Sequence, residues 1–146
     1  MQTMSPEVVR DAMVPEPTTL AAGASAQEAG RCFADNGEVR AIFVTDDGGR
    51  LLGVVTRKTL VREVVAAGLD PGGVAVREIA EPPNFTLDAG LELEDAFHFL
   101  EEQDLERVPV VEDGRLVGVL SRAVVQRRLA EDERPEGEPE TDPLVL

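Results

Sequence analysis

Hydrophobic and polar positions along this chain form a helical stripe early in the sequence. Ala29, Cys32 and Phe33 lie at the i, i+3, i+4 spacing that places apolar side chains on one helix face. Ser25 and Glu28 stand before them as a helix-capping pair. The pattern predicts an amphipathic helix, and the same stripe returns later in the chain at Ala96, Phe99 and Leu100.

Short apolar runs around each stripe predict β-strands, with tight hairpin turns at Asp46–Gly49 and at Asp113–Gly114. A second helical stripe follows each hairpin, and a short helix is predicted near Glu7–Met13. The predicted strands cover residues 18–20, 40–45, 51–55, 85–87, 107–111 and 116–120. The element order is therefore β-α-β-β-α, twice.

The two series are copies of one unit. Arg40 recurs 67 residues later as Arg107, and eight further identities share that offset; beyond the hairpins Gly53 recurs 65 residues later as Gly118, with six more. A unit of about 60 residues is marginal alone, so the copies are expected to pack together. We predict an α/β (α+β) fold with repeat 1 at residues 5–68, repeat 2 at 69–130, a pseudo-twofold axis and a disordered acidic tail at 131–146.

The amino-acid composition makes several classes of binding partner unfavourable. Fourteen basic and 29 acidic residues give a net charge of −15, which disfavours binding to nucleic acid or anionic lipid. No apolar run approaches the length of a membrane span, and the first residues lack the pattern of a secretion signal. The expected location is cytoplasmic, without membrane or nucleic-acid partners.

Catalytic and metal-binding groupings have little support in the sequence. The chain has one histidine, His98, and one cysteine, Cys32, so neither a zinc site of ordinary composition nor a Ser-His-Asp or Cys-His set can be assembled within it. Cys32 lies on the apolar stripe, as a buried small side chain would. We predict no catalytic residues, no metal site and no required cofactor.

Three segments carry a family likeness: RDAMVPEP, AIFVTDDGGRLLGVVTRKTL and RVPVVEDGRLVGVLSRAVV. Over about residues 5–130 the chain resembles a tandem pair of cystathionine-β-synthase (CBS) domains, a Bateman module. The resemblance implies a regulatory, non-catalytic module that binds an adenosine nucleotide or S-adenosylmethionine between the repeats. It also implies a homodimer and a regulated protein that the sequence does not identify. AMP, ADP, ATP and S-adenosylmethionine are the candidate ligands.

The family's ligand motif runs glycine, two apolar residues, Thr or Ser, two variable residues and Asp. In nucleotide-binding relatives the hydroxyl faces the phosphate and the Asp accepts hydrogen bonds from the ribose. Here Thr56 and Ser121 keep the hydroxyl, but Thr59 and Val124 stand at the Asp positions. Thr59 can still hydrogen-bond a ribose whereas Val124 cannot, so the sequence favours the site of repeat 1.

Basic residues are concentrated near the same motif. Arg57, Lys58 and Arg122 follow Thr56 and Ser121 at predicted helix starts, where free backbone N–H groups favour an anion. Arg40 and Arg107 stand at the start of the preceding predicted strand of each repeat and can add a bidentate guanidinium contact. By analogy, apolar strand residues line an adenine slot. The candidate ligand-binding set is Thr18, Arg40, Phe43, Thr56, Arg57, Lys58, Thr59, Phe85, Arg107, Val108, Val110, Ser121 and Arg122.

Each assignment has a purely structural alternative. The arginine clusters can be solvated helix faces, the hydroxyls can be helix caps, and the strand residues can fill the core. The missing Asp favours a second function, a ligand-free dimerisation or protein-interaction domain. A small enzyme is the third and least supported hypothesis.

Overall fold

The computed structural model describes residues 7–15 and 17–132. Within these ranges it has six α-helices and seven strands, which include the predicted β-α-β-β-α order of each repeat together with an unpredicted strand at Val14–Pro15 and an unpredicted helix at Val76–Ile79. The helices are α1 (Val9–Ala12), α2 (Ala26–Asp35), α3 (Arg57–Leu60), α4 (Val76–Ile79), α5 (Leu93–Glu102) and α6 (Arg122–Asp132). The strands are β1 (Val14–Pro15), β2 (Thr19–Ala21), β3 (Ala41–Thr45), β4 (Leu51–Thr56), β5 (Leu87–Asp88), β6 (Arg107–Glu112) and β7 (Arg115–Ser121).

The strands form two sheets with the same local plan. In repeat 1, β3 lies between parallel β2 and antiparallel β4. In repeat 2, β6 lies between parallel β5 and antiparallel β7, and β1 extends that sheet from the far side of β7. The mixed α+β fold and the pairing of two repeats are therefore confirmed.

Helix starts and hairpins follow the local sequence. The Ser25 hydroxyl accepts a hydrogen bond from the backbone N–H of Glu28 at 3.1 Å and so caps α2. Gly49 and Gly114 have positive φ angles of 82° and 81°, which glycine adopts without steric cost in a tight turn.

After α3 the helix continues as a π-helical turn, Val61–Val65, and the chain turns at Gly68, which also has a positive φ of 72°. Helix α6 runs to Asp132, and the rest of the predicted acidic tail lies outside the described residues.

The leading segments of the repeats are exchanged. Val9 of α1 is buried in the core of repeat 2, whereas Val76 of α4 is buried in the core of repeat 1. Isolated backbone bridges repeat the same symmetry, since Val8 pairs with Glu92 and Ala75 pairs with Ser25. Each repeat thus completes its core with a helix that precedes the other repeat's first strand.

The motif glycines lie where the exchanged segments cross the sheets. A Cβ atom at Gly118 would stand 2.6 Å from Met13 Sδ and 2.8 Å from the carbonyl oxygen of Val14. A Cβ atom at Gly53 would stand 2.8 Å from Ala80 Cβ and 2.9 Å from the carbonyl oxygen of Glu81. All four distances are too short for a Cβ atom, so glycine at these two positions allows the crossing backbones to approach closely.

Backbone hydrogen bonds also join the hairpin of repeat 1 to the hairpin of repeat 2. The N–H of Leu116 donates to the Gly49 carbonyl at 3.0 Å, and the N–H of Leu51 donates to the Gly114 carbonyl at 3.4 Å. The two repeats are therefore connected by backbone hydrogen bonds as well as by the exchanged helices.

The packing of α1 on repeat 2 and of α4 on repeat 1 leads to a prediction about stability. Val9→Ala and Val76→Ala each remove two buried methyl groups, so each substitution is expected to lower the free energy of unfolding by about 2 kcal/mol. Chemical denaturation followed by circular dichroism measures this change. The control is Leu69→Ala at an exposed turn, which should stay within about 0.5 kcal/mol of the parent protein. A Val9→Ala variant as stable as the parent would contradict the packing of α1 on repeat 2.

Candidate functional site

A cleft of about 650 Å³ opens between the two repeats. Residues from both sheets line it, and many of them form pairs related by the repeat offset, such as Thr18 with Phe85 and Arg40 with Arg107. Its walls are predominantly apolar, with an aromatic ring from each repeat, Phe43 and Phe85. The cleft therefore combines a hydrophobic lining with a small number of polar groups, as ligand pockets do.

Arg40 and Arg107 are the basic residues among the described lining residues of the cleft. Arg40 precedes β3 and Arg107 begins β6, so equivalent positions of the two repeats place them at the same cleft. Both are exposed, and Glu38 is the acidic residue among the described lining residues. Two guanidinium groups beside an apolar slot suit a ligand that carries a phosphate or carboxylate next to an apolar ring.

Seven members of the predicted ligand-binding set line this cleft: Thr18, Arg40, Phe43, Phe85, Arg107, Val108 and Ser121. The chain folds them together because the strands β3 and β6 and the segments before β2 and β5 face one another across the repeat boundary. The other six members lie elsewhere. Their part in ligand binding stays a prediction without support from the geometry of the cleft.

Thr56 and Thr59 form a reciprocal cap at the start of α3. The Thr56 hydroxyl accepts from the Thr59 N–H at 3.2 Å, and the Thr59 hydroxyl accepts from the Thr56 N–H at 3.0 Å. The Thr59 hydroxyl also lies 3.5 Å from the Glu81 carboxylate, which forms an ion pair with Arg62. Only 1% of Thr59 is exposed. The Asp position of repeat 1 is therefore occupied by a side chain whose hydrogen bonds are already made.

Arg57 binds the end of helix α2. Its guanidinium donates to the carbonyls of Val39 at 2.7 Å and Phe33 at 3.2 Å, and to those of Asn36 and Gly37 at 3.4 Å each. It also lies over the Phe33 ring, 4.8 Å from the centroid. A cation at a helix C-terminus is favourable because the last carbonyls there lack helical partners. The segment that Arg57 holds continues into the cleft wall at Val39 and Arg40.

Arg122 holds the matching segment of repeat 2 by a different contact. The Arg122 guanidinium forms ion pairs with Glu106 and with Asp104, the latter at 3.4 Å. The backbone N–H of Arg122 also donates to the backbone carbonyl of Glu106 at 2.9 Å. Desolvation lowers the pKa of Arg122, but the hydrogen bonds and negative charges of Glu106 and Asp104 outweigh it and raise the pKa above its ordinary value. Both arginines therefore fix the loops before β3 and β6.

Lys58 and Val110, the remaining two members of the predicted ligand-binding set, do not line the cleft. Lys58 is exposed on α3, one position beyond Arg57. Val110 is fully buried in the core of repeat 2, where β6 packs under α5 and α6. Arg62, Glu63 and Glu81 do not line the cleft. Hydrogen bonds from the Arg62 guanidinium to Glu63 and to Glu81 raise the pKa of Arg62 above its ordinary value.

The cleft is asymmetric with respect to the ligand motif. Ser121 and Val124 of repeat 2 line it, whereas the equivalent Thr56 and Thr59 of repeat 1 do not. The sequence favours repeat 1 because threonine can hydrogen-bond a ribose and valine cannot. In the folded chain the hydroxyl of Thr59 is buried and bonded, so the accessible half of the cleft is the one built on repeat 2.

Thirteen lining residues of the cleft lie outside the predicted ligand-binding set, although the ligand motif already points to one of them, Val124. They are Val14, Pro17, Asn36, Glu38, Val39, Ala41, Val54, Pro83, Asn84, Leu105, Pro109, Val119 and Val124. Part of this set was detectable, because Pro17 and Asn84 immediately precede Thr18 and Phe85 and share their 67-residue offset. Val14 carried no such signal, because its place depends on the pairing of β1 with β7.

Within residues 7–15 and 17–132 no three His, Cys, Asp or Glu side chains cluster as metal ligands. No helix in that part of the chain is long and apolar enough to cross a membrane.

The fold and the cleft define a class: two homologous α+β repeats, cross-packed through exchanged helices, with a pocket between them. The CBS domain profile matches residues 9–66 and 76–131, one match for each repeat. The chain therefore belongs to the CBS domain family, as the sequence resemblance predicts.

Hypoxic response protein 1 from Mycobacterium tuberculosis is a curated relative, 33% identical over 94 residues. The match covers 64% of this chain and 66% of that protein, slightly less than two thirds of its length. Its crystal structure, with two coordinated zinc ions, superimposes with a TM-score of 0.71 at 28% identity, covering 84% of this chain and 98% of that one. The crystal structure of CBSX2 in complex with AMP gives a TM-score of 0.67 at 27% identity, covering 87% of this chain and 98% of that one.

Alanine substitutions at the adjacent basic residues Arg57 and Lys58 of α3 test the role of Arg57. Arg57→Ala removes the donors from the carbonyls at the end of α2, so we expect a loss of about 1 to 2 kcal/mol of folding free energy. Lys58→Ala is the matched control, since it deletes the same charge from an exposed neighbour and should change stability by less than about 0.5 kcal/mol. Urea denaturation measures both. Equal effects of the two substitutions would show that charge alone, and not the capping contact, matters.

Proposed function

We propose that this chain is a regulatory, non-catalytic module that binds an adenosyl ligand in the cleft between its repeats. AMP, ADP, ATP and S-adenosylmethionine are the candidates. The observation that carries the proposal is the pair of equivalent arginines, Arg40 and Arg107, beside an apolar slot lined by both repeats. The AMP complex of the similar CBSX2 structure supports this ligand class.

Each part of such a ligand has a matching group in the cleft. The guanidinium groups of Arg40 and Arg107 suit the phosphate of a nucleotide or the carboxylate of S-adenosylmethionine. Phe43, Phe85 and Val108 offer apolar surface to an adenine ring. Ser121 supplies a hydroxyl on the repeat 2 side.

Binding of this kind would act on the relation between the repeats. A ligand that touches both sheets favours the repeat arrangement to which it binds more tightly, and it can shift the equilibrium only by that difference in affinity. The regulated protein is then a separate partner that recognises one arrangement. We also propose that the chain acts in the cytoplasm and as a homodimer.

A second candidate function is a ligand-free dimerisation or protein-interaction domain. Its supporting observation is the motif itself: Thr59 is buried and hydrogen-bonded, and Val124 presents no acceptor to a ribose. In that case the cleft holds no nucleotide at physiological concentrations, and the module works through its surfaces alone.

Thermal melts with AMP, ADP, ATP and S-adenosylmethionine test the first proposal. A ligand at 100 times its Kd stabilises the native state by roughly 2.7 kcal/mol, which is a readily measured shift in Tm. The Arg40→Ala/Arg107→Ala variant should lose at least tenfold in affinity, because charge-assisted hydrogen bonds disappear. Arg127→Ala removes an exposed arginine outside the cleft wall and should bind as the parent does. No shift with any ligand would favour the interaction domain.

Restoring the motif aspartate tests the asymmetry of the cleft. Val124→Asp places a carboxylate where the ribose of an adenosine nucleotide is expected, so AMP should bind about tenfold more tightly. Thr59→Asp is the matched variant of repeat 1, where a buried carboxylate next to Glu81 should destabilise the fold and give no gain in affinity. Isothermal titration calorimetry and melts separate the two effects. Tighter binding by Thr59→Asp alone would place the ligand on repeat 1.

A further inference from the structure

The two segments that cross the sheets carry different side chains at equivalent points. Val14 pairs with Val119 on one sheet, and Glu81 exchanges backbone hydrogen bonds of 2.8 and 2.9 Å with Val54 on the other. The repeat offsets relate Val14 to Glu81 and Val54 to Val119, and both Val54 and Val119 line the cleft. The backbone therefore brings an apolar side chain to one half of the cleft and a carboxylate to the edge of the other.

Glu81 lies against the ligand motif of repeat 1. Its carboxylate is 3.5 Å from the Thr59 hydroxyl and forms an ion pair with the Arg62 guanidinium. We call these three residues the Glu81 cluster. Thr59 is 1% exposed, whereas the Glu81 side chain is 52% exposed, so the carboxylate lies on the solvent side of the hydroxyl. The cluster thus covers the motif of repeat 1 with groups from the chain itself.

Repeat 2 has no such cover. The repeat offsets place Val14, Val124 and Arg127 at the positions equivalent to the Glu81 cluster. Val14 and Val124 both line the cleft, and neither has a polar group that could bond to the other. Arg127 forms no ion pair within residues 7–15 and 17–132. The motif of repeat 2 is therefore open at the point where the carboxylate covers its counterpart.

We infer that Glu81 closes the repeat 1 half of the cleft and so limits the chain to one adenosyl ligand, bound on the repeat 2 side. The Glu81 carboxylate repels the phosphate or carboxylate of such a ligand. It also occupies the Thr59 hydroxyl and the Arg62 guanidinium, which a ligand on repeat 1 would need as partners. Glu81 is therefore a specificity-determining residue of the cleft. This inference rests on the proposed function and specifies which half of the cleft binds.

Alkylation of an engineered thiol tests the closure without any ligand. In a Cys32→Ala background, Thr59→Cys places a single thiol beneath the Glu81 carboxylate, and iodoacetamide followed by mass spectrometry measures its rate of alkylation. Adding Glu81→Ala should raise that rate by about tenfold or more, because cysteine reactivity follows exposure. Glu63→Ala is the matched control, since it removes the other ion pair of Arg62 and should leave the rate unchanged. Equal rates with and without Glu81→Ala, or equal acceleration by Glu63→Ala, would overturn the inference.

Isothermal titration calorimetry with AMP counts the ligands. The parent chain should bind one AMP, and Glu81→Val, which copies Val14, should bind a second. Val14→Glu/Val124→Thr rebuilds the Glu81 cluster beside Arg127 and should weaken AMP binding by about tenfold or more. Leu52→Glu adds the same charge at an exposed position outside the cleft wall and should bind as the parent does. One AMP per chain of Glu81→Val, or two per parent chain, would overturn the inference.

The two experiments separate this inference from the proposed function. If neither the parent nor any variant binds AMP, the proposed function fails for this nucleotide. The alkylation rates then decide alone whether Glu81 closes repeat 1, because they depend on no ligand.

Discussion

The exchange of leading helices is the interaction on which the rest of this structure depends. A repeat of about 60 residues buries too little apolar surface to be secure alone, and each core here is completed by a helix from before the other repeat, with Val9 in one core and Val76 in the other. The exchanged segments then cross the sheets at Gly118 and Gly53, where any side chain would collide with the crossing backbone. The cleft lies between two sheets that this exchange holds together.

The cleft wall depends on contacts made outside it. Arg57 and Arg122 stand at equivalent positions, and both fix the loop that leads into the neighbouring strand, one through carbonyls at the end of α2 and the other through Glu106 and Asp104. The loops so held carry Arg40 and Arg107 to the cleft. A basic residue near the motif can therefore shape the cleft indirectly, by positioning a second basic residue that lines it.

Duplication followed by divergence explains why the two repeats differ in local structure. The framework positions remain alike, but the surface positions have separated: Thr59 is sealed by hydrogen bonds whereas Val124 faces the cleft, and Gly30 stands where the second repeat has Phe97. A pseudo-symmetric fold with unlike halves can present one accessible ligand site and two unlike outer faces.

The sequence by itself determined the repeats, their element order and the family, because helical stripes, hairpin turns and a fixed offset are local or periodic signals. It also placed Arg40 and Arg107 in the candidate site as a repeated pair of basic residues, and the family resemblance added Thr18 and Phe85 by analogy. Only the tertiary structure decided that Arg57 caps α2, that Thr59 is buried, and that Val14 borders the cleft. These outcomes depend on contacts between segments far apart in the chain, which residue type and spacing do not specify.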